Sequence, residues 1–224
     1  MVLDAVKVTT IQHSVYEKVM RAIVSGRIAP GQRVTIEGLA SELDVSAMPV
    51  REAIRKLEAN GFVTVNRRKI TVRELSPDNV REILEVRLLL ECHAAGKAAK
   101  NRSQETLDRL ERLVGQMARP NDPESYMKTN KQFHDTLYRD CGLPVIQEII
   151  DSLWERYSPY LHILLQDDDE WHTLNINQNH REILEGMQKK DPVAVQKYLE
   201  KDLSGAADNI LRMLEKREAS MESD

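Results

Sequence analysis

Apolar residues fall first into short helical stripes, then into two alternating runs, then into helical stripes to the end of the chain. Ile11, Val15, Val19, Ala22 and Ile23 share one helix face, which predicts a helix over about 11–25. Thr9 or Thr10 can cap it, Gly26 stops it, and Pro30-Gly31 makes a turn. A short helix capped by Thr35 carries Leu39, Ala40 and Leu43, and Asp44-Val45 links it tightly to a third. Ser46 is the expected cap of that third helix. Pro49 lies in its first turn, and Val50, Ala53, Ile54 and Leu57 face inward. Gly61 stands at the C′ position, where left-handed φ is favoured. The period then changes to two at Phe62–Val65 and Ile70–Val72, flanking Asn66-Arg67-Arg68-Lys69, and a hairpin with a basic tip follows.

Ser76 caps a new helix with Pro77 at its first position. From there the pattern is helical over about 77–100, 104–118, 124–141, 145–166, 171–190 and 193–217. Pro120–Pro123, Gly142–Pro144 and the acidic run Asp167–Glu170 interrupt it, and Asp191-Pro192 caps the last helix. The predicted fold is mainly α. A winged helix-turn-helix domain occupies 1–75, three helices plus a β-hairpin. An all-α helical bundle follows over 76–217, and 218–224 form a polar tail.

Composition sharpens this. Aromatics make up only 4% of the chain, which favours helices over sheets, and 30% charged with 41% apolar residues indicates a folded chain. No run approaches the roughly 18 apolar residues of a membrane span, and the N-terminus is not a signal peptide. Cys92 and Cys141 both fall in helical patterns, as two ordinary thiols in a reducing cytoplasm would. The formal net charge of −4 hides a split. Residues 1–75 hold 12 basic and 8 acidic side chains, and the remainder holds 20 basic and 28 acidic ones. The basic part suits DNA; the acidic part needs a different partner.

In a winged helix-turn-helix the recognition helix enters the major groove. Here the third helix offers Ser46, Ala47 and Met48 at its start, then Arg51 and Arg55. Ser46 and the helix N-terminus suit phosphate, and Arg51 has the reach for a guanine edge or a phosphate. Arg67, Arg68 and Lys69 at the hairpin tip suit a minor groove or its flanking phosphates. Basic residues on a helix are usually only a solvated face. The complete order of capped helices, tight turn and basic hairpin favours double-stranded DNA.

The segment VYEKVMRAIVSGRIAPGQRVTIEGLASELDVSAMPVREAIRKLEANGFVTV resembles the DNA-binding domain of the GntR family of bacterial regulators. Gly31, Leu39, Ala40, Pro49, Arg51, Glu52, Leu57 and Gly61 fall on family positions. Two positions depart from the pattern: Ala47 and Glu37 stand where the family often has Arg. The resemblance implies DNA contact at both, so the operator differs from the family's common one or contacts shift to the wing.

The helical remainder resembles the effector-binding FCD domain of the FadR subfamily. Val86 to Glu91, Asn130-x-x-Phe133-His134, His180-Arg-Glu-Ile-Leu-Glu-Gly and Asp191-Pro-Val-Ala carry the likeness. It implies a divalent metal held by Asn130, His134, His180 and Asp202, with Asn130 in place of the usual Asp and Asp202 in place of the usual third His. Residues 130 and 134 are i,i+4 and share a helix face. Two imidazoles, one carboxylate and one amide oxygen suit Zn²⁺, with Ni²⁺, Fe²⁺ or Mn²⁺ as alternatives. Buried, hydrogen-bonded histidines are the alternative reading. His13 and His93 lack such a context, and His162 and His172 read as surface or loop residues, with outer metal ligands the alternative. The acidic run 167–170 lacks EF-hand spacing.

The resemblance also places Arg87 towards the cavity, where its planar fork suits a carboxylate. An internal pair with Glu85 or Glu91 is the competing reading of Arg87. These expectations together describe a non-enzymatic regulator that binds a pseudo-palindromic operator as a homodimer and responds to a small organic or sugar acid. A metal-dependent enzyme with a two-His/carboxylate site is the alternative.

Overall fold

The computed structural model describes residues 10–67, 69–118, 122–165 and 176–221. The chain forms two compact units, Met1–Glu74 and Leu75–Asp224. The first contains α1 (Ile11–Val24), β1 (Arg33–Val34), α2 (Ile36–Leu43), α3 (Ala47–Ala59), β2 (Val63–Asn66) and β3 (Lys69–Val72). Thr10 Oγ1 accepts from His13 N–H at 3.2 Å and Thr35 Oγ1 from Gly38 N–H at 3.0 Å, so both threonines cap as expected. Asp44 takes the left-handed conformation (φ 52°) that turns α2 into α3, a geometry that Asp tolerates better than most residues. Val19, Ile23, Leu39, Val50, Ile54, Leu57, Phe62 and Val72 close one core.

Two details differ from the sequence reading. The wing strands reach Asn66 and Lys69, which pair with each other, so only two residues remain in the turn. Arg67 there adopts φ 58°. The sheet also has a third strand, in the order β1-β3-β2, with Arg33 opposite Thr71 and Val34 opposite Ile70. A two-residue strand is too short to show any periodicity.

The second unit contains α4 (Pro77–Asn101), α5 (Gln104–Met117), α6 (Pro123–Tyr138), a 3-10 turn (Arg139–Cys141), α7 (Pro144–Leu165), α8 (Ile176–Lys189) and α9 (Pro192–Met221). Ser76 and Asn79 form a capping box at α4, and Asp122 and Ser125 form one at α6, each followed by Pro at the first helical position. Asp191 Oδ1 accepts from Val193 N–H at 3.0 Å and Ala194 N–H at 3.1 Å and so caps α9. Leu110, Met117, Phe133, Leu137, Ile183, Met187, Leu199 and Leu203 build one core cluster of this unit. Val80, Trp154, Tyr157, Leu164 and Ile210 build another. Among the described residues no helix is long and apolar enough to cross a membrane.

Candidate nucleic-acid interface and candidate metal centre

In the first unit, Ser46 is the N-cap residue of α3 but its side chain makes no capping bond. Pro49 explains this: it occupies the third helical position, whose N–H a Ser cap would normally take, and Pro has none. The Ser46 hydroxyl is exposed beside Ala47, Met48 and Arg51, all exposed too. Met48 is 77% exposed, unusual for so apolar a residue. Arg55 pairs with Glu52 at 2.6 Å, and Lys56 lies over the Tyr16 ring at 4.1 Å. Arg51 has no ion pair among the described residues. Arg67 and Lys69 are exposed on the wing, and Arg68 lies outside the described residues.

In the second unit, three helices bring distant residues together. Asn130 and His134 come from successive turns of α6, His180 from α8 and Asp202 from α9. His134 Nε2 lies 3.4 Å from Asp202 Oδ2, and His180 Nε2 lies 3.5 Å from Asp202 Oδ1. One ligand atom from each of the three falls within 4.8 Å of the others. His134 is 3% and His180 1% exposed. Phe133 packs edge-on against the His180 ring at 4.7 Å and helps to hold it. Asn130 lines the same cavity, and its Oδ1 is buried without a hydrogen bond among the described residues. A buried amide oxygen left this way costs about 1–3 kcal/mol. A cation in the cavity would satisfy it, and the two imidazoles, carboxylate and amide oxygen match the donor preferences of Zn²⁺ and its neighbours.

Asp202 is held below the usual carboxylate range. Burial, the largest single influence, pushes it up, but the positive charges of His180, His134 and Arg87 together outweigh this. Burial, then Glu91, raises the Tyr138 phenol, and burial raises those of Tyr126 and Tyr157. All three therefore act as neutral phenols at pH 7.

The cavity has a volume of about 290 Å³. That equals about ten waters at roughly 30 Å³ each, more room than a metal ion alone needs. Trp154, Leu161, Leu164 and Leu165 give it an apolar wall, while Arg87, Tyr157 and Asn130 supply polar atoms. The Tyr157 hydroxyl is buried without a hydrogen bond among the described residues.

Arg87 lines this cavity, as its position implies, but it is also paired internally. Its Nε donates to Glu91 Oε1 at 2.5 Å and its Nη2 to Glu91 Oε2 at 3.5 Å, and it is 1% exposed. The Tyr157 ring lies 4.8 Å from the guanidinium carbon. Glu91, rather than Glu85, is therefore its partner. Removing one member of such a pair costs about 3–5 kcal/mol, because the other is left as a buried charge. A ligand carboxylate would have to share the guanidinium with Glu91.

Glu91 entered the sequence reading as a family position and as a partner for Arg87, with no role beside the histidines; Tyr138, Trp154 and Tyr157 did not enter it. Tyr138 had a usable signal, since 130, 134 and 138 repeat at i,i+4 along one face. Trp154 and Tyr157 had none. His162 is half-buried on α7, whereas His172 and the acidic run 167–170 lie outside the described residues.

Family models match both parts of the chain. Residues 11–72 match the family described as bacterial regulatory proteins, gntR family, and residues 82–205 match the FCD domain. The chain is 28% identical over 170 residues to the HTH-type transcriptional regulator McbR of Escherichia coli K12, covering 74% of this chain and 77% of that one. It is 26% identical over 202 residues to the gluconate operon transcriptional repressor of Bacillus subtilis, covering 87% and 82%. The solved structure of E. coli McbR/YncC shares its fold with a TM-score of 0.82 at 24% identity, over 92% of this chain and 99% of that one. A basic winged helix-turn-helix joined to a helical FCD domain thus places this chain in the GntR family of bacterial transcription regulators.

Proposed function

We propose that this regulator binds a pseudo-palindromic operator as a homodimer and is controlled by a small carboxylate held at a divalent metal in the helical domain. The supporting observation is the buried group of His134, His180 and Asp202, which shares one cavity with Asn130 and Arg87. Asn130, His134, His180 and Asp202 would hold the metal, with Zn²⁺ the first choice. When bound, the metal supplies positive charge for a ligand oxygen. Arg87 offers the remaining donors of its fork to the same ligand, and Tyr157 offers a hydroxyl that has no hydrogen bond among the described residues.

The apolar wall of Trp154, Leu161, Leu164 and Leu165 favours an organic acid with a compact apolar body over a polyol acid, whose hydroxyls it would leave unpaired. A relative named for the gluconate operon keeps sugar acids in the comparison. On the DNA side, Ser46, Ala47, Met48, Arg51 and Arg55 would meet the major groove, and Arg67, Arg68 and Lys69 the wing contact. By linkage, an effector that changes operator affinity has its own affinity changed by the same factor.

Thermal unfolding with Zn²⁺, with hydroxy, aryl and sugar acids, and with chelator tests the reading. A metal at 100 times its Kd should stabilise by about 2.7 kcal/mol. An acid should add a further shift only when metal is present. Absence of any shift with every acid, together with turnover of one, would replace the regulator by the enzyme reading.

A further inference from the structure

We infer that Glu91 and Tyr138 are positioning residues for His134, a carboxylate–phenol–imidazole relay that keeps the imidazole proton on Nδ1 and leaves the Nε2 lone pair facing His180 and Asp202. The metal reading above supplies its functional consequence; the relay itself rests on hydrogen-bond geometry.

The phenol has one proton. Tyr138 Oη donates it to Glu91 Oε2 at 2.5 Å. His134 Nδ1 lies 3.2 Å from the same phenol oxygen. With its proton committed to the carboxylate, that oxygen can only accept, so Nδ1 must carry the hydrogen. A neutral imidazole has one N–H, and Nε2 is then an acceptor. It lies 3.4 Å from a second acceptor, Asp202 Oδ2. Two acceptors at that separation repel unless a cation or proton stands between them, which is the arrangement a metal ligand needs.

The relay is also built to be rigid. Glu91, Tyr138 and His134 are all at most 3% exposed. Arg87, one turn before Glu91 on α4, neutralises the carboxylate from its other side. Tyr138 sits one turn beyond His134 on α6, so the helix sets the phenol-to-imidazole spacing. Metal-binding histidines commonly donate their other N–H to such a partner, which fixes the tautomer and raises ligand basicity. A buried Tyr–Glu pair with a purely structural role would have no need of His134 Nδ1 on the same oxygen.

The test uses full-length, metal-free protein with ¹⁵N-labelled histidine at about pH 9, well above the usual imidazole value of about 6.5. Long-range ¹H–¹⁵N spectra should show His134 as the Nδ1–H tautomer. In Tyr138→Phe, which keeps the ring and removes only the hydroxyl, the proton should move to Nε2 and bond Asp202. Co²⁺ affinity should fall about 10–100-fold in the same variant. An Nε2–H tautomer in the wild type, or an unchanged Nδ1–H in the variant, overturns the relay. If the variant does not fold, the wild-type tautomer alone decides. A wild type that binds no Co²⁺ removes the metal reading, and the tautomer still judges the relay.

Discussion

At the scale of single residues, small chemical differences assign the roles. Pro49 has no N–H, so the Ser46 hydroxyl loses its usual partner and is left available at the start of α3. That suits a phosphate contact, at the expense of about 1 kcal/mol of capping. Arg51 stands one turn further on, exposed, while Arg55 is engaged with Glu52. Arg51→Ala should therefore weaken operator binding sharply, by about 1–3 kcal/mol if it reads a guanine edge, while far-UV circular dichroism stays unchanged. An unaltered mobility-shift midpoint would defeat the assignment. Arg87 shows where sequence reading stops at this scale. Its i,i+4 relation to Glu91 offered the pair and the cavity-facing role equally, and burial of both partners realises the pair on the cavity wall.

At the scale of elements, helix ends and helix contacts carry the site. Ser103 caps α5, and its own N–H donates to Asp140 Oδ2 at 2.8 Å, across 37 residues of sequence. Slight burial alone would raise the Asp140 carboxyl, but the Ser103 N–H and the neighbouring hydroxyls of Thr106 and Ser103 outweigh it and lower it. A carboxyl lowered by folding stabilises above its unfolded value of about 3.9, and that contribution is lost as pH falls through the folded value. Asp140→Ala should lower stability modestly at neutral pH, by less than about 1 kcal/mol because the carboxylate is largely solvated. The gap in melting temperature from wild type should close towards pH 3. A gap independent of pH would exclude the charge as the cause.

Gly186 on α8 is a second such point. A Cβ there would stand 2.8 Å from Val195 Cγ2 and 3.1 Å from Val195 N, a backbone atom that cannot swing away. Alanine normally gains up to about 1 kcal/mol over Gly in a helix. Overpacking costs about 1–3 kcal/mol, so Gly186→Ala should destabilise on balance. It should also weaken metal binding, because α8 carries His180 and α9 carries Asp202. A raised melting temperature would show that the contact relaxes. Helix positions and several caps were legible in advance, since Thr35, Ser76 and Asp191 act on neighbours within four residues; Asp122 read only as part of a break, and Ser46 as a cap it does not make. The strand Arg33–Val34 was not, because its only partner lies in β3.

At the scale of the whole molecule, the charge split gives the two parts different work. The first 75 residues carry a net +4 and the remainder a net −8, counting 12 basic against 8 acidic and 20 against 28. The acidic part should keep clear of phosphates, leaving DNA contact to the basic heads. A fragment of residues 1–75 should bind operator weakly and with steep salt dependence, and the full chain far more tightly through two heads. Fluorescence anisotropy across a salt series measures this; a fragment binding as tightly as the full chain would refute the dimer. What the sequence determined by itself is local: helical and strand periods, caps, the basic wing, and the charge of each half. Each depends on residues a few positions apart, whose geometry the backbone dictates. Only the tertiary structure decided that His134, His180 and Asp202 converge, that Arg87 is shared with Glu91, and that Tyr138 joins that carboxylate to His134. The metal-site groups come from α6, α8 and α9, and the Glu91–Tyr138 contact spans α4 and α6, so those distances are set by side-chain packing between helices, which no local pattern encodes; the i,i+4 spacings of Arg87 with Glu91 and of His134 with Tyr138 are local, and only their burial together is tertiary.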